Sequence, residues 1–149
     1  MTTVATNRKA YHKYHIEEEF EAGIVLAGAE VKGLRQHGCS LQESYARPIG
    51  DEIFLIGMHI TPYKEATIDV PEPDRTRKLL LHKREIDYII SRCTQRGYTL
   101  VPLKVYFKKG WAKVSLGLAR QVRKEDKRQK LLERQEMKEA KRHVRKHRR

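Results

Sequence analysis

The last thirty-one residues, Ala119 to Arg149, contain no Gly, no Pro and too few large apolar side chains to build a core. A folded domain must therefore come from residues 1–118, with 119–149 left outside it as a tail. From Arg120 onward fourteen Lys/Arg stand against five Asp/Glu, so nine of the chain's thirteen net positive charges lie here. Lys130, Arg134, Lys138, Arg142 and Lys146 recur every four residues, as do Lys141, Arg145 and Arg149. On a helix each such like-charge pair costs a few tenths of a kcal/mol, and the helpful pairs are few, chiefly Asp126 with Lys130 and Glu139 with Arg142. The stripe Leu131, Leu132, Met137, Ala140 and Val144 is too ragged for a coiled coil. The expectation is a tail that is disordered when free and becomes helical on a polyanion.

The remaining 118 or so residues suffice for one domain that buries about two-thirds of its unfolded surface. A pI near 9.9 fits attraction to nucleic acid or to an anionic membrane. No apolar run approaches the eighteen or so residues of a membrane span, and Met1 to Ala10 lacks the apolar stretch of a secretory signal. That favours nucleic acid and a cytoplasmic location. Cys39 and Cys93 have neither a Cys-x-x-Cys pattern nor histidines at a zinc-ligand spacing, so they read as reduced structural thiols and no metal site is expected. His12 and His15, placed on a strand, would point to opposite faces.

Met1 to Ala10 is polar and basic and is expected to be mobile without a partner. From Tyr11 the pattern turns β-like through Tyr14, Ile16, Phe20, Ala22, Ile24 and Leu26, with Glu17 to Glu19 as the turn between two strands. The acidic run from Glu17 to Glu21 reads as a solvated turn, as a contact for a basic partner or, for Glu21 alone, as an orienting group inside an RNA site. Ala29 to His37 predicts a short helix carrying Val31 and Leu34 inward and ending at Gly38. Leu41 to Arg47 and Glu52 to Ile60 predict a hairpin across Pro48 to Asp51. Its second strand, apolar on both faces apart from His59, reads as central, and His59 as a hydrogen-bonded core histidine. Pro62 to Asp74 is a loop. Ile86, Ile89, Ile90 and Cys93 then mark an amphipathic helix, with Gly97 placed to cap it.

Tyr98 to Leu118 carries two alternating strands that meet at Lys109-Gly110. On the first, Val101, Leu103, Val105 and Phe107 share one face, and Lys104, Tyr106 and Lys108 the other. On the second, Ala112, Val114, Leu116 and Leu118 oppose Trp111, Lys113 and Ser115. The outward face thus interleaves lysines with aromatics. It reads as a platform on which bases stack while ammonium groups hold phosphates, or else Tyr106 and Trp111 pack beneath a helix or the tail. The elements together predict an α+β, mainly β fold, a small antiparallel barrel with accessory helices and a basic C-terminal tail, for which an oligonucleotide-binding-like barrel is one architecture. No Gly-rich phosphate loop, Gly-x-Ser-x-Gly, His-Glu-x-x-His or two-metal acidic cluster is present, so no enzyme is expected.

Six runs, in order and with fitting gaps, carry a resemblance: Asn7-Arg8-Lys9-Ala10-Tyr11-His12, Phe20-Glu21-Ala22-Gly23-Ile24, Glu30-Val31-Lys32, Arg75-Thr76-Arg77-Lys78-Leu79-Leu80-Leu81-His82, Leu100-Val101-Pro102-Leu103-Lys104 and Asp126-Lys127-Arg128. Over nearly its whole length the chain resembles small protein B, the SsrA-binding protein family of bacteria. The resemblance implies binding to the tRNA-like domain of transfer-messenger RNA and entry into a stalled ribosome. It implies a body standing in place of an anticodon arm and a tail lying through the small-subunit decoding centre into the empty mRNA channel. Asn7, His12, Glu21, Leu80 and Lys113 match RNA-binding positions of the family, and Asp126, Lys127 and Arg128 match the tail segment needed after docking.

Arg8, Lys9, Lys108 and Trp111 join the RNA-binding set on charge and stacking. Arg123, Lys124, Lys130, Arg134, Lys138 and Arg142 join the ribosome-binding tail on charge. No cofactor and no membrane partner are expected, and the protein reads as a monomer. The sequence departs from the family at Gln121, Val122 and Arg123, where members usually have Gly-Lys-Lys, and at Glu125, where an aromatic residue or histidine commonly stands. Gly33 replaces a frequent Ser. The alternative reading is a ribosomal or ribosome-assembly protein whose tail binds ribosomal RNA.

Overall fold

The computed structural model of the chain describes residues 1–61, 71–94 and 97–121. The expected ribosome-binding positions from Arg123 to Arg142 lie outside these residues, as does most of the Pro62–Asp74 loop. In chain order the elements are β1 (Thr2–Thr6), α1 (Arg8–Lys13), β2 (Tyr14–Ile24), α2 (Gly28–His37), β3 (Cys39–Ser40), β4 (Tyr45–Ile49), β5 (Glu52–Ile56), β6 (His59–Ile60), β7 (Arg77–Leu80), α3 (Lys83–Cys93), β8 (Tyr98–Lys108) and β9 (Trp111–Gln121).

Seven strands form one antiparallel sheet in the order β1-β8-β4-β5-β7-β2-β9, and β9 returns to β8, so the sheet closes into a barrel. The long β8 is the seam. One of its edges pairs with β9 throughout, while the other meets β4 at Leu100 and β1 from Lys104 to Phe107. This is the small antiparallel barrel expected from the alternating strands, for which an oligonucleotide-binding-like form is one architecture. Its core holds Ala22, Ile53, Leu55, Leu79, Leu100, Val105, Val114 and Leu116, with Leu34 from α2 and Ile89 from α3 joining it. β3 and β6 make a separate two-stranded sheet. α2 ends at Gly38 and β5 lies between β4 and β7, both as the pattern predicted. The β8–β9 turn has positive φ at both central residues, 51° at Lys109 and 81° at Gly110, the backbone that matches the twist of a two-residue hairpin.

Several expectations are corrected. The N-terminus is ordered: β1 pairs with β8, and α1 follows at once, where a mobile terminus was expected. His12 therefore lies on a helix and His15 on β2, both exposed, and not on one strand. Glu17 to Glu19 are inside β2, which runs unbroken for eleven residues; a bulge between Ile16 and Glu18 absorbs the irregularity that read as a turn. Leu41 to Ser44 form a turn rather than a strand, closed by the Ser44 hydroxyl donating to the Leu41 carbonyl at 2.5 Å. His59 is no core residue. β5 stops at Ile56, so His59 falls in the small second sheet, half-exposed and 2.9 Å from Asp74. The C-cap of α3 is Thr94, short of Gly97.

The most consequential correction concerns β8. Val101 and Leu103 do not share a face with Val105 and Phe107, because a bulge between Pro102 and Lys104 inverts the alternation. Leu100, Val105 and Phe107 point into the barrel, whereas Val101 and Leu103 join Ala10 and Ala119 in a second apolar cluster with Tyr11, Tyr14 and Ile16 packed on it. Ala119 is fully buried there, and β9 continues to Gln121, three residues into the run expected as tail.

Candidate nucleic-acid interface

On β9, residues 111, 113, 115, 117 and 119 alternate with the barrel-facing 112, 114, 116 and 118 and form its outward face. The outward cluster under α1 occupies one end of this face: Ala119 meets Ala10, Val101 and Leu103. Gly117 permits the close approach here. A Cβ at this position would stand 3.0 Å from Leu103 Cδ1 and 3.1 Å from Ile16 Cγ2. The other end is polar and open. Lys113 lies opposite Gly23 of β2 on one side and Tyr106 of β8 on the other, and Gly23 in turn lies opposite Leu80 of β7. Lys108 pairs with Trp111 at the hairpin end, and Glu21 with Ser115. Leu80 is 52% exposed and Trp111 73%. A Cβ on Gly23 would lie 3.4 Å from Leu80 Cβ and 3.7 Å from its Cδ1, so the glycine lets Leu80 approach the β2 backbone closely.

Glu21, Leu80, Lys108, Trp111 and Lys113 are thus brought to one face by four strands. The interleaved platform expected there is only partly realised. Trp111 and the lysines are accessible, but Tyr106 is 6% exposed and offers no ring for stacking. Its hydroxyl donates to Glu21 Oε2 at 2.5 Å, and Lys108 Nζ stands 3.4 Å from both carboxylate oxygens. The Tyr106 hydrogen bond, more than Lys108, holds the Glu21 carboxyl below the usual carboxylate range against partial desolvation. Burial, then the carboxylate itself, pushes the Tyr106 phenol well above its ordinary value.

The N-terminal candidates lie over the opposite end of the same strands. Ala10 packs α1 on the outward cluster, which leaves Arg8, Lys9 and His12 exposed. Asn7 behaves differently. Its amide nitrogen donates to the Pro102 carbonyl at 3.0 Å and its backbone N–H to the Leu103 carbonyl at 2.7 Å, so it ties the start of α1 to the β8 bulge.

Two features had no sequence signal. Tyr106 and Glu21 are 85 positions apart, and only the β2–β9–β8 register places them together. Where β9 ends, Arg120 Nη2 lies 2.8 Å from Glu17 Oε1 with its guanidinium over the Tyr98 ring, and Arg92 approaches Glu17 and Tyr98 from α3. The Tyr98 hydroxyl, with Arg120 and Arg92, keeps the Glu17 carboxyl low. The acidic run is thereby spent on intramolecular partners at Glu17, at Glu18, which accepts from the Tyr88 hydroxyl at 2.5 Å, and at Glu21. Cys39 and Cys93 are free thiols, the former pushed up to about 11 by burial.

Comparison with known proteins adds the following. The family model described as SmpB protein matches residues 4–146. An SsrA-binding protein of Anaeromyxobacter sp. (strain Fw109-5) is 49% identical over 146 residues, covering 98% of this chain and 88% of its own length. One from Listeria monocytogenes serovar 1/2a is 52% identical over 141 residues, covering 95% and 89%. A chain of a solved structure described as "tmRNA-SmpB: a journey to the center of the bacterial ribosome" is similar with a TM-score of 0.67 and 45% identity, over 85% of this chain and 92% of that one.

Proposed function

The chain belongs to the SmpB family of SsrA-binding proteins, and from that premise we propose that it binds the tRNA-like domain of transfer-messenger RNA and delivers it to stalled ribosomes for trans-translation. The observation that carries the placement of the RNA is the convergence of Glu21, Leu80, Lys108, Trp111 and Lys113 on one open face. Lys108 and Lys113 meet phosphates there, with Arg8, Lys9 and His12 reaching the backbone from α1. Trp111 stacks an unpaired base, a contact worth roughly 1 to 3 kcal/mol. Leu80, exposed beside Gly23, fits the shape of the RNA rather than its sequence. Asn7 supports this surface from beneath through Pro102.

The chain continues beyond Gln121 from the end of β9. Arg123, Lys124, Asp126, Lys127, Arg128 and the ladder Lys130, Arg134, Lys138 and Arg142 act in the decoding centre and the empty mRNA channel, where phosphates neutralise charges that repel one another on an isolated helix. The protein works as a monomeric cytoplasmic binding factor without catalysis of its own. Removing residues 122–149 is expected to leave affinity for transfer-messenger RNA within a few-fold and to abolish tagging of a stalled peptide. Loss of most specific RNA affinity in the truncated protein would overturn this division of roles.

A further inference from the structure

Glu21 presents a puzzle if its face meets RNA: a carboxylate among phosphate-binding lysines repels phosphate. Its setting suggests what it does instead. Oε2 is taken by the Tyr106 hydroxyl at 2.5 Å, whereas among the described residues Oε1 has only the longer Lys108 contact at 3.4 Å. The Glu21 side chain is 41% exposed, and Tyr106 beneath it is almost wholly buried. A tyrosine ring locked between neighbours fixes its hydroxyl, and the hydroxyl fixes one oxygen of the carboxylate. The other oxygen is then directed outward, ionised and still able to accept.

We propose that Tyr106 is a positioning residue for RNA recognition, holding the Glu21 carboxylate so that Oε1 accepts a hydrogen bond from a nucleobase amino or imino group while the flanking Lys108 and Lys113 hold phosphates. The proposal rests on the reading of this face as the RNA surface. It goes further in assigning chemistry to two residues: Glu21 selects a donor-bearing base edge, and Tyr106, which touches no RNA, makes that selection rigid. Carboxylates accept from base amino groups by the same geometry in duplex recognition, and a pre-oriented acceptor loses less freedom on binding than a mobile one.

The test is a double-mutant cycle with full-length protein and a transcript of the tRNA-like domain. Glu21→Ala and Tyr106→Phe are each expected to weaken binding by about tenfold, the scale of a hydrogen bond to a charged group. The double variant should bind within about twofold of Glu21→Ala, because Tyr106 acts only through the carboxylate. Multiplicative losses would overturn the proposal. A second readout is independent of RNA: the Glu21 carboxyl, followed by ¹³C NMR, should titrate at higher pH in Tyr106→Phe than in wild type, and an unchanged titration would equally overturn it. Lys113→Ala separates the two levels of inference. If Lys113→Ala weakens binding and Tyr106→Phe does not, the positioning role fails alone; if neither weakens it, the RNA surface itself has been misplaced.

Discussion

Arg77 has no exposed surface, and each of its three guanidinium nitrogens is hydrogen-bonded. Nε lies 2.7 Å from Glu30 Oε2, and the two terminal nitrogens donate to the carbonyls of Met58, Arg75 and Pro73. Glu30 in turn accepts from Arg75 and from the Ala27 N–H, so one buried carboxylate ties the start of α2 to β7. Removing Arg77 takes one of two guanidinium partners from the buried Glu30 carboxylate and leaves the Met58, Arg75 and Pro73 carbonyls without this donor. Arg77→Met is therefore expected to cost about 3 to 5 kcal/mol in urea denaturation at pH 7; a loss below about 1 kcal/mol would show that the site relaxes or admits water. Burial pushes the Glu30 carboxyl up, but the hydrogen bonds from Arg75, Ala27 and Arg77 outweigh it and hold it below the usual value. A carboxyl depressed on folding adds stability above its unfolded pKa, near 4.3 for glutamate, and loses it as pH falls through the lower folded value. The stability difference between wild type and Glu30→Gln should accordingly narrow as pH drops below about 4. A difference that stays constant from neutral pH to pH 3 would contradict it. In the sequence, Arg77 is one of three basic residues in the run Arg75-Thr76-Arg77-Lys78. What singles it out is its complete burial beside Glu30, 47 positions away.

Among the elements, β9 links the two halves of the proposed function. Trp111 and Lys113 stand at its start, and Arg120 and Gln121, clamped by β2 and Glu17, at its end. At about 3.4 Å per residue, Lys113 and Gln121 are roughly 27 Å apart along the strand. A paired strand is stiff, so the proposed RNA face and the end of β9 at Gln121 hold a set separation. Gly117 lies at the tightest point of this strut, under Leu103 and Ile16. Gly117→Val places branched carbon where both neighbours already stand, and is expected to cost about 1 to 3 kcal/mol by overpacking. Thermal melting of the variant checks this, and an unchanged midpoint would mean that Leu103 and Ile16 move aside freely. The hairpin itself was legible in the sequence, because period-two alternation and Lys109-Gly110 are local signals. The β8 bulge was not. Its inversion of Val101 and Leu103 relative to Val105 satisfies an apolar surface supplied by α1, Tyr14 and Ile16, all more than 80 positions away.

At the scale of the whole molecule, the +13 charge is divided unevenly, most of it beyond residue 119. RNA affinity should therefore separate into a salt-dependent and a shape-dependent part. Lys113→Ala is expected to reduce the slope of log affinity against log salt by roughly 0.7 to 0.9, the loss of one phosphate contact. Leu80→Ala should weaken binding with the slope unchanged, since no counterion is released at an apolar contact. Equal slopes for the two variants would contradict the assignment of Lys113 to a phosphate and Leu80 to shape.

By itself the sequence determined the barrel class, the β4–β5 and β8–β9 hairpins, helices α2 and α3, the basic tail and the family resemblance. Each is written in signals a few residues long or in motifs in a fixed order. Only the tertiary structure decided that β2 runs through the acidic triplet, that the N-terminus is a strand and helix, and that Tyr106 lies beneath Glu21 instead of offering a stacking face. The reason is common to all three. Strand register and charge pairing join residues up to 107 positions apart, as Tyr14 with Gln121, and the barrel must close before either partner has an environment. Periodicity can say which residues share a face of one strand, but not which residue of another strand stands beside them.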